Sequence, residues 1–133
     1  MDSKEYRIGN LLRDKVSKTI LEVIKLTKDD VVTYVIDRSK FPLKKGWGLE
    51  PIPLNEEWLL KFDFDKITND EEEIFYQKGY VRISIDEYED GWFNFRKRTP
   101  SQLWKDNLVT QIKFVHELQN LYLLIEKEEL NIR

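Results

Sequence analysis

The chain contains no cysteine. That absence removes disulfides, thiolate zinc sites and cysteine nucleophiles together, and it suits a reducing compartment. Histidine is nearly absent too. The one copy, His116, would need carboxylates for every other ligand of a metal, and its spacing to Ser84, Ser101 and Thr110 does not read as a nucleophile–base pair. A lone His on a helix is more often a packing residue. No apolar run approaches the roughly 18 residues of a membrane helix, and Met1-Asp2-Ser3-Lys4-Glu5-Tyr6 lacks the apolar stretch of a leader. No excess of charge is present either: 22 Lys/Arg stand against 25 Asp/Glu, a net of −3, which weighs against phosphate-dominated nucleic-acid binding and against a membrane surface. Gly46-Trp47-Gly48 lacks the Lys-Ser/Thr ending of a phosphate loop. The expectation is a cytoplasmic single domain over 1–133, with no cofactor, no metal and no membrane.

What is present is aromatic. Phe, Trp and Tyr make up 13% of 133 residues, enough for a substantial core despite 35% charged residues. Charge is spread unevenly: residues 46–95 carry four Lys/Arg against thirteen Asp/Glu, while both flanks are net basic. Such a stretch is usually solvated surface, and its sharper reading is an acidic face toward a basic partner.

Along the chain, Gly9-Asn10 predicts a bend inside the first apolar run. The β-branched runs Val16–Leu26 and Val31–Ile36, joined by Lys28-Asp29-Asp30, predict a hairpin, and with the first run a three-stranded meander of SH3-like or Tudor-like, barrel-like character. Residues 37–54 read as an irregular loop. Next comes Pro51 to Phe64, in which Asn55 is an N-cap, Glu56 and Glu57 suit the positive end of a helix dipole, and Trp58, Leu59, Phe62 and Phe64 form a docking face. Residues 65–73 are polar and acidic. Ile74-Phe75-Tyr76, the alternating Val81/Ile83/Ile85 strand, a turn at Glu89-Asp90-Gly91 and Trp92 to Arg98 predict a second meander. Ile112, Val115, Leu118, Leu121, Tyr122 and Ile125 predict an amphipathic helix over about 111–126, after which Leu130 and Ile132 suit a short edge strand. The fold class expected is α+β: two antiparallel β-meanders, a short central helix and a C-terminal amphipathic helix.

Three functional readings follow. In the first, a non-catalytic protein binds a host protein or a small-molecule ligand through Phe41, Lys44, Lys45 and Trp47 of the 37–54 loop, because long loops rich in aromatics are frequent binding elements. The competing reading of Phe41 and Trp47 is that they plug the sheet. In the second, Trp92, Phe93, Phe95, Arg96 and Arg98 stack and contact nucleic acid; the commoner role for those aromatics is core. In the third, the acids of residues 63–73 or 86–90 hold a metal for hydrolysis, although neither run has the register of a twelve-residue calcium loop.

Arg7-Ile8-Gly9-Asn10, the Pro51–Phe62 stretch and Val115-His116-Glu117-Leu118-Gln119-Asn120-Leu121-Tyr122, in that order, resemble a group of small proteins of bacterial genomes and their phages. Those proteins read RIGN, PIxLTEEWLLKFGF and VHxLQNLYFALTGEEL. The resemblance spans nearly the whole chain and implies a phage or mobile-element setting; it brings no activity with it. Here Asn55 replaces Thr, Asp63 replaces Gly and Glu126-Lys127 replaces Thr-Gly, so the stop after Phe62 falls on a costlier residue and the last helix is expected to run a little further.

Overall fold

A computed structural model describes residues 5–27, 31–35, 44–45, 48–101 and 107–132. They form two compact units, Met1–Ile52 with Phe114–Glu129 and Pro53–Lys113 with Leu130–Arg133.

The first unit holds β1 (Leu11–Asp14), β2 (Ile20–Leu26), β3 (Val31–Val35), β4 (Lys44–Lys45) and β5 (Leu49–Pro51), all antiparallel and in the order β4-β3-β2-β1-β5. The meander is the expected one. The barrel-like closure is not formed: among the described residues β4 and β5 end the sheet without pairing to each other, and at two and three residues they are too short to supply a closing ladder. These two strands also replace part of what reads in sequence as structureless loop. Tyr6, Leu12, Leu21, Val23, Val31 and Leu49 make the core. On the rim of the sheet, Glu50 accepts from Arg13 and Lys18, both at 2.6 Å, which holds its carboxyl below the usual range, the Lys18 hydrogen bond acting most.

Helix α2 (Val115–Glu126) belongs to this unit and begins four residues later than the periodicity suggests. Glu117 reaches back to accept from the Phe114 N–H at 2.9 Å and so fixes the start. The helix does not run on past Glu126: Lys127 takes the left-handed conformation (φ 61°) and its N–H closes on the Leu123 carbonyl at 2.9 Å.

In the second unit, β6 (Asp65–Thr68), β7 (Ile74–Lys78), β8 (Val81–Ile85), β9 (Phe93–Lys97) and β10 (Leu108–Ile112) follow one another as a five-stranded antiparallel meander. Both outer strands are additions to the three expected. β6 runs through the acidic stretch, and β10 takes Gln111 and Ile112 out of the predicted helix. Leu130 is buried, but the edge strand expected at Leu130 and Ile132 is not formed.

Helix α1 (Glu56–Lys61) precedes the sheet. Asn55 Oδ1 accepts from the Trp58 N–H at 3.0 Å, the expected cap. The stop is a pair of reversed bonds, Phe64 N–H to the Leu59 carbonyl and Asp63 N–H to the Leu60 carbonyl, with Asp63 at φ 71°. This geometry also seats Phe64 beside Leu59, an apolar pairing that commonly accompanies it. Trp58, Leu59, Phe62 and Phe64 are all buried, as a helix of under two turns requires for stability.

Candidate functional site

Alternation along its strands gives the second sheet two chemically different faces. Tyr76, Val81, Ile83, Phe93, Phe95 and Ile112 are buried, and the registers Tyr76↔Ile83 and Ile83↔Phe95 place three of them side by side. The intervening residues point the other way. Arg82 lies opposite both Gln77 and Arg96, and Ser84 lies opposite Asn94, which in turn lies opposite Gln111. One sheet face is therefore polar from β7 to β10, and it floors a cleft of about 730 Å³.

The cleft is graded in charge. At one end Arg82 and Arg96 share a rung. Arg82 donates to Gln77 Oε1 at 2.7 and 3.2 Å and lies 4.6 Å from the centre of the Phe75 ring. Arg96 donates to Ser84 Oγ at 3.1 Å. Burial pushes the pKa of Arg82 below its ordinary value, and the charges of Arg98 and Arg96 push the same way. In the middle, Gln111 Nε2 donates to Asn94 Oδ1 at 3.1 Å and to the buried Asp86 carboxylate, which also accepts from the Tyr88 N–H. At the far end Glu72, Glu73, Asp86 and Glu87 line the cleft. A hydrogen bond with Glu71 holds the Glu73 carboxyl above its usual range, with desolvation and the charges of Glu71 and Glu87 acting alike. Arg82 and Asp86 are four residues apart along one strand direction, roughly 13 Å at the usual rise.

Local chemistry builds the acidic end. Asn69 Oδ1 accepts from the N–H groups of Glu71 and Glu73, both at 3.0 Å, folding the acidic β6–β7 turn, in which Glu72 adopts φ 61°. Gly91 at φ 82° closes the β8–β9 connection, and the Asp86 N–H donates to the Trp92 carbonyl at 3.0 Å. Four large apolar side chains, Ile74, Ile85, Tyr88 and Leu108, line the cleft while remaining exposed, Tyr88 at 91%. Ile85 thus departs from the inward alternation expected for its strand.

Of the residues singled out in the sequence, Arg96 and, from the two acidic runs, Glu72, Glu73, Asp86 and Glu87 are brought into this cleft. Phe41 and Trp47 lie outside the described residues. Lys44 and Lys45 form β4, opposite Thr33 and Val32. Phe93 and Phe95 are buried, at 7% and 0% exposure, so the base-stacking role considered for them has no ring face to use. Trp92 is half-buried with Lys113 Nζ 5.7 Å from its ring, and the Arg98 guanidinium lies 5.4 Å from the Tyr80 ring. Among the described residues no group of three or more acids or histidines is arranged to hold a metal, which leaves the hydrolase reading without a site there. Arg82, Ser84, Asn94 and Gln111 are not among the ligand residues expected from the sequence, where Ser84 enters only as an unsupported partner for His116. Their signal was the polar half of the alternation carried through the Glu89–Gly91 turn to the next strand.

The first and last motifs of the resemblance meet in the first unit. Asn10 Nδ2 donates to Asn120 Oδ1 at 2.7 Å, Gln119 Oε1 accepts from the Leu11 N–H at 2.8 Å, and Gln119 Nε2 donates to the Gly9 carbonyl at 3.2 Å. Arg7 forms a two-pronged pair with Glu129 at 2.9 and 3.0 Å and also reaches the Gln119 carbonyl. His116 is buried between Tyr6 and Phe114, its ring centroid 4.5 and 5.9 Å from theirs, and burial lowers its pKa. Its Nδ1 has no hydrogen-bond partner among the described residues. This is the packing role expected of a lone helical histidine.

Comparison with known proteins adds no identity: no family model, no curated protein and no solved structure matches the chain.

Proposed function

We propose that this is a non-catalytic binding protein of the cytoplasm, acting in a phage or mobile-element setting, whose ligand occupies the polar cleft of the second sheet. The observation that carries the reading is the cleft itself. It joins a cationic end, a neutral hydrogen-bonding floor and an acidic end within about 730 Å³, and four exposed apolar side chains border it. A few convergent polar groups beside apolar surface is the usual make-up of a ligand site. The mobile-element setting rests on the motif resemblance alone. The cleft takes the place that the 37–54 loop held in the sequence reading, since of that cluster only the backbone of Lys44 and Lys45 is described.

The test is a screen of peptides and charged small molecules against isotope-labelled protein, read by backbone amide shifts. Binders should move the signals of Ser84, Asn94, Arg96 and Gln111 together, and Ser84→Trp should abolish the response while leaving the unfolding temperature within about 2 °C, because the half-buried Ser84 side chain opens onto the cleft and not into the core. Binders that act elsewhere, or equally on Ser84→Trp, overturn the reading.

A further inference from the structure

We infer that the cleft takes a short extended peptide of about four residues with both termini free, its carboxylate on the Arg82–Arg96 rung and its ammonium among Glu73, Asp86 and Glu87. The inference deepens the binding reading above and rests on it.

The charge layout selects a zwitterion. An anion alone would leave the acidic end of the cleft unmatched, and a cation alone would meet two arginines on one rung. Like charges directly opposite on a sheet repel, so a carboxylate between or above them relieves a cost that the ligand-free protein carries. Arginine also suits a carboxylate geometrically, because its planar fork donates two parallel N–H groups to the two oxygens.

Length then selects the size. Four positions of β8 separate the arginine rung from Asp86, roughly 13 Å. An extended chain covers at most about 3.3–3.6 Å per residue, so four residues bring the two termini to the two ends. A free amino acid is too short to reach both.

The middle of the cleft selects a peptide over other zwitterions of that span. Ser84, Asn94 and Gln111 offer hydroxyl and amide groups on the floor, which suit the alternating N–H and C=O groups of a peptide backbone. Ile74, Ile85, Tyr88 and Leu108 offer exposed apolar surface beside it for aliphatic side chains. A nucleic acid would match the arginine rung but would bring phosphates against the acidic end.

The experiment titrates full-length protein calorimetrically with Leu-Ala-Ala-Leu bearing free termini, its C-terminal amide, its N-acetylated form, free leucine and a single-stranded oligonucleotide. Expected is saturable binding of the free peptide, weakened at least tenfold by amidation, by acetylation and by Arg96→Gln, with free leucine at least tenfold weaker. Changing the peptide leaves the protein untouched, so a folding defect cannot imitate the first two effects. Amidated and acetylated peptides that bind as tightly as the free peptide overturn the assignment of the ends. Salt-sensitive oligonucleotide binding that Arg96→Gln removes, without any response to peptide, overturns it in favour of nucleic acid. If no peptide binds but the broader screen finds another ligand in the cleft, the peptide inference falls and the binding reading stands; if nothing perturbs the cleft, both fall.

Discussion

The two units use polar side chains in opposite ways. In the first, Asn10, Gln119, Asn120 and Arg7 are consumed by one another and by backbone groups, tying the turn before β1 to helix α2 across about 110 positions of sequence. In the second, Arg82, Ser84, Asn94, Arg96 and Gln111 share one sheet face, and charge of each sign gathers at a different end. Buried and mutually satisfied, polar groups specify a fold. Arrayed along an open cleft, those of the second unit also bond to one another, but with opposite charge at the two ends they present a field to something else.

The sharpest way to break this comparison is on a single strand. Phe95 and Arg96 are neighbours in β9 but face opposite ways. Phe95→Ala opens a cavity at a fully buried site, and about 3–5 kcal/mol of stability should be lost. Arg96→Gln keeps a polar, flexible side chain, though a shorter one, and removes a like-charge rung, so its effect should stay within about 0.5 kcal/mol. Urea denaturation measures both; comparable losses would mean that the polar face is structural after all.

Next in size is the lock in the first unit. Gln119→Leu preserves volume but strands the Leu11 N–H and the Gly9 carbonyl; at about 1–3 kcal/mol for the buried N–H and less for the half-buried carbonyl, the loss should be about 2–4 kcal/mol. Ser84→Ala on the cleft face removes one hydrogen bond from half-buried Arg96, which water can replace, and should cost under about 0.5 kcal/mol. If Gln119→Leu were neutral by the same denaturation measurement, the network would not be what holds α2.

Locally encoded features were the ones readable in sequence. Asn55 as a cap, the Glu89–Gly91 turn and the Val81/Ile83 alternation depend on residues a few positions apart, and the structure has each. β6 was missed because Asp-Lys-Ile-Thr is short, polar and mostly exposed, with no apolar face to betray it. β10 was missed because Ile112 stands three residues before Val115 and so extends the helical stripe; only the pairing Ile112↔Phe93 makes it strand. The cleft needs the register of four strands at once, and the Asn10–Asn120 lock needs two ends of the chain to meet. The first leaves only the polar half of an alternation to mark it, and the second leaves no mark on any local pattern. Arg82 and Arg96 are fourteen residues apart in sequence, and their shared rung exists only once the turn between β8 and β9 has fixed the register.

Smaller than the losses at Phe95 and Gln119 are the effects at the two helix stops, one in each unit. Both residues after the helices are left-handed without being glycine: Lys127 at φ 61° and Asp63 at φ 71°. For an L-residue that conformation costs roughly 1 kcal/mol more than for glycine, partly offset by the extra freedom glycine gains in the unfolded chain. Asp tolerates the region better than Lys because its short polar side chain can hydrogen-bond locally, and Asp63 also lies 3.7 Å from Lys78 Nζ. Lys127→Gly should therefore stabilise by up to about 1 kcal/mol, and Asp63→Gly by less than about half of that. Thermal melts of the two variants measure the difference. A larger gain at Asp63 than at Lys127 would mean that strain, rather than side-chain chemistry, ranks these two stops.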